Sequence, residues 1–257
     1  MMNKQYRDMS MFLLIAFLLP LISIIIQSII NNASIKFIFY GIEAASPSIA
    51  AITILSMNKR CKEFFMKMFH SRHLVIAMAL PVIISCSTMF LAKLIFCFLF
   101  KTDFMLGSIS FTQFIIILWA FIAEEIGWRG YLEQLLKNMA ICKWIVPFIV
   151  GIVWCLWHYH YFLLNGIQVP ILLFFISCII ESYIYSFLMD CTNDNLISAM
   201  GYHFSWNFAI HIFAINPADN NGNTFPYINL IILETLVLLI FFTLKNIRKF
   251  TFIKEKH

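Results

Sequence analysis

Two adjacent acids and a cation stand inside an otherwise apolar stretch, Phe121-Ile-Ala-Glu-Glu-Ile-Gly-Trp-Arg-Gly-Tyr131. On a helix, Glu125, Arg129 and Glu133 recur at i, i+4 and i+8, so Arg129 is expected to pair with acids above and below it. Glu125 is then an ionised structural partner of Arg129. Glu124 points about 100° away and has no cation at helical spacing. A buried carboxylate without a partner is pushed toward its neutral form, which suits a group that takes up a proton, so Glu124 is the candidate general base. In the plainer alternative, both acids only tie this helix to its neighbours. Two further groups carry nitrogen chemistry. One is Trp154-Cys-Leu-Trp-His-Tyr-His160, with Trp154 one turn before His158 and His160 on another face. The other is Tyr202-His-Phe-Ser-Trp-Asn-Phe208, which spaces His203 and Asn207 at i, i+4, with His211 two turns after His203. A single intramembrane histidine is usually a hydrogen-bonded packing residue. Clusters in three separate helices point to a shared site. Glu43, Lys93 and Glu181 are also placed deep in apolar segments, where a charge costs roughly 2.5–3.5 kcal/mol or more.

The elements that must position these groups are membrane helices. The chain has 257 residues, 61% apolar and 12% charged, with 28 Phe and a mean hydropathy of +0.86. A soluble domain carries about a quarter charged residues. The composition excludes a soluble enzyme, and it excludes disorder, whose signature is low hydrophobicity. Eight apolar blocks run approximately over Met11–Ile30, Phe37–Met57, Leu74–Phe100, Phe114–Leu136, Trp144–Leu164, Val169–Met189, Leu196–Ile215 and Tyr227–Leu244. Blocks near twenty residues match a helix crossing roughly 30 Å of hydrocarbon and exclude a β-barrel, whose strands would be about ten residues. The fold class expected is all-α: a polytopic membrane protein with about eight transmembrane helices in one domain, 1–257, and a motif-bearing core at about 113–215. Counted from Lys137, Lys143 and Asn195, Glu124, His158, His203 and Asn207 lie roughly 20, 22, 12 and 18 Å into the bilayer at 1.5 Å per residue. The four residues share one slab, and a polar pocket between the fourth, fifth and seventh helices is feasible.

Charge sets the expected orientation. With a cytoplasmic N-terminus and eight alternating helices, one side receives Lys4, Arg7, Lys59, Arg60, Lys62, Lys67, Arg72, Lys137, Lys143, Lys245, Arg248, Lys249, Lys254 and Lys256. The other side receives only Lys36 and Lys101. This bias places both termini in the cytoplasm. The net charge of +5 then reports topology and contact with anionic lipid rather than nucleic acid. The segment Arg60–Arg72, which interleaves cations with Phe and Met, is expected along the inner interface. The first block is too long for a leader peptide and is read as a retained anchor. The seven cysteines form no C-x-x-C pair, which suggests neither a disulfide framework nor a thiolate metal site.

The three clusters carry a resemblance. Glu124-Glu125-x-x-x-Arg129, followed by Gly130-Tyr131-Leu132, is similar to the first motif of the CAAX-protease and bacteriocin-processing family of intramembrane peptidases (CPBP, or Abi). Trp154-x-x-x-His158 resembles its second motif, with Trp where Phe is commoner, and His203-x-x-x-Asn207 its third. The resemblance implies a hydrolase that cleaves peptide bonds of a peptide or a membrane-anchored protein. Glu124 and His158 would activate water, and His203 and Asn207 would stabilise the oxyanion, with Glu125 and Arg129 as structural support. Glu124, His158 and His203 could alternatively form a zinc site with water as fourth ligand. No H-E-x-x-H helix is present, each ligand would come from a different helix, and zinc on Glu124 would displace its proton role. No cofactor is therefore expected, with zinc as the alternative. The competing functions are a non-catalytic immunity protein that binds a bacteriocin or its receptor, and an ion-coupled transporter, for which no paired halves are visible. The richness in Ile, Asn, Lys and Phe suggests a multi-pass protein of a bacterial cell membrane, where prenylated substrates would be unexpected.

Overall fold

The computed structural model describes residues 2–139, 141–164, 166–167 and 169–254, with side chains described between 4 and 243. Every regular element among the described residues is helical. They are α1 (Met2–Ile29), α2 (Ala33–Ala44), α3 (Ser46–Met57), α4 (Cys61–Met68), α5 (Leu74–Phe100), α6 (Phe111–Glu125), α7 (Glu133–Asn138), α8 (Ile145–Trp157), α9 (Tyr159–Leu163), α10 (Ile171–Cys191), α11 (Leu196–Ile212) and α12 (Phe225–Lys254). A π-helical turn, Ile126–Leu132, joins α6 to α7. Six of these stretches are long and apolar enough to cross a membrane: Lys4–Ile29, Leu74–Phe100, Phe111–Asn138, Ile145–Leu163, Ile171–Cys191 and Phe225–Thr243. The protein is thus a multi-pass membrane protein.

The remaining two expected blocks are altered. Ala33–Ala44 and Ser46–Met57 form a pair bent by 59° and would make a seventh span together. Pro47, the second residue of α3, sits at this break, and it lacks the N–H that would continue the α2 ladder to the Glu43 carbonyl. The block expected over Leu196–Ile215 is α11, whose 17 residues reach about 25 Å at 1.5 Å each, short of a full hydrocarbon crossing.

α11 sits centrally, packed against α5, α6 and α10, while α8 and α12 flank α10 and α3 lies between α1 and the π turn. Ser110 opens α6 with a capping box: its hydroxyl accepts from the Gln113 N–H at 3.2 Å, and the Gln113 side chain accepts from the Ser110 N–H at 2.9 Å. Asn195 caps α11 and also donates to the His70 carbonyl at 2.7 Å, tying the α10–α11 and α4–α5 connections together. Asn58 donates to Asp8 at 3.1 Å, and Gln5 to the Asn138 carbonyl at 3.3 Å. These bonds gather the N-terminus and the basic connections around α4 and between α7 and α8 at one end of the bundle. At the opposite end, the Gly107 N–H donates to the Ile212 carbonyl at 2.8 Å, and Lys93 donates to Asn220 at 2.9 Å. Lys245, Arg248, Lys249 and Lys254 have side chains outside the described set, and Lys256 lies outside the described residues.

The π turn is pressed against the bend at Pro47. A Cβ on Gly127 would stand 2.5 Å from the Pro47 Cβ and 2.5 Å from its carbonyl oxygen, and neither backbone is free to retreat. Gly127→Ala is expected to lower both the amount of protein in membranes and its unfolding temperature in detergent, since overpacking of this kind costs about 1–3 kcal/mol. An unchanged melting temperature would show that the contact yields.

Candidate active site

Glu124 and Glu125 are the last two residues of α6, and both are buried. Their environments differ as their helical positions require. Glu125 Oε1 accepts from Arg129 Nη1 at 3.1 Å, within the i, i+4 pair expected from the sequence. Arg129 is fully buried; its Nη2 donates to Ser182 at 3.3 Å, and its guanidinium carbon lies 3.7 Å from the Tyr185 ring centroid and 4.3 Å from that of Trp154. The two aromatic faces supply the cation–π environment that a guanidinium tolerates inside a bundle.

The second half of the expected stripe does not form. Glu133 accepts from Lys137 at 3.0 Å and from Ser186 at 2.9 Å instead of reaching Arg129. The π turn is the reason: its wider i to i+5 winding breaks the α-helical register between residues 125 and 133. Glu124 also has a partner that helical spacing could not show. Trp154 Nε1 on α8 donates to its Oε2 at 2.9 Å.

His158 ends α8 and links it to α9, so the fifth apolar block is two short helices rather than one. Its Nδ1 lies 2.7 Å from the Trp154 carbonyl oxygen. A carbonyl only accepts, so Nδ1 carries the hydrogen, and in the neutral ring Nε2 is left as an acceptor. Trp154 therefore touches both candidate water-activating residues, Glu124 through its indole N–H and His158 through its carbonyl. On α11, His203 Nδ1 lies 2.6 Å from Glu125 Oε1, the oxygen that also accepts from Arg129. With Nδ1–H directed at Glu125, His203 Nε2 accepts in the neutral ring and donates in the imidazolium form. Glu125 thus orients a histidine as well as pairing with Arg129, a contact between α6 and α11 that the sequence did not reveal.

One cavity of about 670 Å³ is lined by Glu124, His158, His203 and Asn207 together with Trp154 and Glu181. Glu125 and Arg129 stand behind this wall. The structure therefore brings the four expected site residues to one space, with their supports in a second layer. His160 does not join them: its Nδ1 approaches the Trp157 carbonyl at 2.7 Å, and its buried Nε2 has no partner among the described residues. His211 does line the cavity. Glu181 accepts from Ser177 at 2.5 Å on the cavity wall. Glu234 was missed by the sequence reading although it sits within an apolar block; it is fully buried and accepts from Trp206 at 2.9 Å and Tyr202 at 3.0 Å. The signal was available, because an acid in the middle of an apolar block meets the same test that selected Glu181.

No group of three or more His, Cys, Asp or Glu among the described residues is arranged to hold a metal ion. The alternative zinc set of Glu124, His158 and His203 lines the same cavity, and no such three-ligand group is drawn together among the described residues. Trp154→Phe keeps the ring and removes the indole donor to Glu124. Losing one hydrogen bond of about 1 kcal/mol is expected to lower the unfolding temperature in detergent by about 2–4 °C. An unchanged unfolding temperature would show that the Trp154–Glu124 bond carries no weight in the fold.

Residues 106–209 match the family model described as Type II CAAX prenyl endopeptidase Rce1-like. The matched stretch contains all three motifs, from Glu124 to Asn207, and its family is the one the motif resemblance names. A search of curated proteins found no match.

Proposed function

We propose that the protein is a metal-independent intramembrane endopeptidase of a bacterial cell membrane. Its substrate would be a peptide or a membrane-anchored protein. The observation that carries the reading is the position of Trp154, which binds Glu124 with its indole and His158 with its carbonyl across one cavity. A water between the two meets an acceptor on each side. Glu124 takes its proton as the oxygen attacks the substrate carbonyl, with His158 Nε2 fixing the water's second hydrogen. The carbonyl π bond opens to an oxyanion, which His203 Nε2–H and Asn207 stabilise in a site shielded from bulk water. The C–N bond then breaks, and the proton held by Glu124 passes to the leaving amine. Glu125 supports this step by holding His203 in the orientation that points Nε2 away from its own carboxylate.

The reading is tested by comparing membrane proteomes of cells carrying the wild-type protein or Glu124→Gln. Fragments that depend on Glu124 support it. Identical fragment sets, with both proteins present at equal level, overturn it. Metal independence has its own measurement. Purified protein is expected to retain full activity after chelation and dialysis, with well under one zinc per chain by elemental analysis. Activity lost on chelation and restored by added zinc would make Glu124, His158 and His203 ligands instead.

A further inference from the structure

The cavity is not placed symmetrically in the bundle. On α6 its lining runs from Gln113 in the first turn to Glu124, and nothing beyond Glu124 on that helix takes part. On α11 it begins at His203 and continues to His211, near the helix end. The connections that border it are α9–α10, at Leu164 and Gly166, and α11–α12, at Ala218 and Asp219. All of these belong to the end opposite the basic connections around α4 and between α7 and α8.

Exposure follows the same direction. Gln113, Leu164, Gly166, Ala218 and Asp219 are exposed, whereas Glu124, Trp154, His158 and Glu181 are buried. Beneath them, toward the basic end, Trp128, Arg129 and Leu132 form a layer with at most 1% exposure. The cavity therefore has a mouth at the end poor in cations and a closed floor toward the end rich in them. Among the described basic side chains outside the buried core, Lys59, Arg60, Lys62, Lys67, Arg72, Lys137 and Lys143 belong to the floor end, with Lys4 and Arg7. Lys36 and Lys101 belong to the mouth end. Cation-rich connections stay in the cytoplasm.

We infer that the cavity receives its substrate from the non-cytoplasmic side, as an extended peptide segment that lies outside the membrane or emerges at its outer surface. The substrate part of this inference rests on the peptidase reading; the direction of the mouth does not. Chain ends that remain in the cytoplasm, including lipidated ones at the inner leaflet, would face the closed floor. Exported peptides and the outer juxtamembrane segments of membrane proteins would face the opening.

The test uses the full-length protein in intact cells and a membrane-impermeant, sulfonated maleimide. Ser108→Cys, on the exposed α5–α6 connection, reports the side on which the mouth end lies. Ala218→Cys reports the mouth itself. The native Cys142 and Cys191, both exposed at the basic end, serve as internal references, and labelling of the unmodified chain is subtracted. Both introduced cysteines are expected to be labelled in intact cells, while Cys142 and Cys191 are labelled only after permeabilisation. Cleavage by Ala218→Cys is expected to be lost on labelling relative to the same variant unlabelled. Introduced cysteines that react only after permeabilisation, or an Ala218→Cys that does not react at all while present in membranes, overturn the inference. Continued cleavage after complete labelling of Ala218→Cys also overturns it. A chain that is labelled from outside but has no Glu124-dependent cleavage would instead defeat the peptidase reading, leaving the direction of the mouth intact.

Discussion

A Glu124→Gln chain is expected to accumulate in membranes at the wild-type level and to lose cleavage by roughly 10²–10⁴-fold, the range a positioned acid–base group contributes. The substitution isolates chemistry from folding. Gln keeps the shape of Glu, and its amide oxygen can still accept the Trp154 indole N–H that Glu124 accepts at 2.9 Å. Glu124 has no ion pair among the described residues, so neutralising it strands no described buried cation. His158→Ala removes the second acceptor and is expected to lose cleavage similarly, at some cost in packing among Trp157, Phe174 and Tyr161. The measurement is fragment release by purified protein at matched concentration. Full activity in verified Glu124→Gln protein would remove Glu124 from the role of base.

Arg129→Ala is expected to fall furthest in abundance. Arg129 is fully buried between the Tyr185 and Trp154 rings and neutralises Glu125, which is itself fully buried. Its loss leaves Glu125 with His203 as its remaining hydrogen-bond partner among the described residues and opens a void between two aromatic faces. An uncompensated buried charge costs about 3–5 kcal/mol, much of the stability of a typical domain. Arg129→Lys should not restore the level, because an ammonium cannot reach Glu125 and Ser182 together while lying flat against Tyr185. Immunoblots of membranes give the comparison with Glu124→Gln. Equal abundance of Arg129→Ala and Glu124→Gln would dissolve the distinction between a structural pair and a chemical acid.

What the sequence made legible follows from the range of each interaction. The α6 acids, the His158 cluster and the His203–Asn207 pair were readable because charge and imidazole are expensive in hydrocarbon and stand out against Phe and Ile. The Glu125–Arg129 pair was readable because helical spacing is local. Glu133 escaped from that stripe because a π turn depends on what the helix packs against, here the bend at Pro47. The Trp154–Glu124 and His203–Glu125 bonds span 30 and 78 residues, and no periodicity encodes separations of that size. The bend at Pro47 had a local signal in the proline itself, hidden by the uniform apolarity of the segment around it. Glu234 was equally visible, as an acid inside the apolar block Tyr227–Leu244.

The wall behind the motifs is built from a part of the chain that carries none of them. Phe12 stacks on Tyr131 at 5.3 Å between centroids and meets Trp128 edge-on at 5.5 Å. The Ala16 carbonyl and Ser46 accept from the Trp157 indole at 3.1 and 2.9 Å, and the Phe17 carbonyl accepts from Tyr159 at 2.9 Å. Those aromatic residues lie within two positions of Arg129 and His158 along the chain. The first fifty residues therefore act as a splint for the helices that carry the motifs, outside the stretch 106–209 that carries the family likeness. Transplanting that stretch alone into another scaffold would move the candidate site residues without the brace that sets their angles. Divergence among relatives should accordingly be constrained in α1 at the buttressing positions, even where the rest of that helix drifts with the lipid it faces.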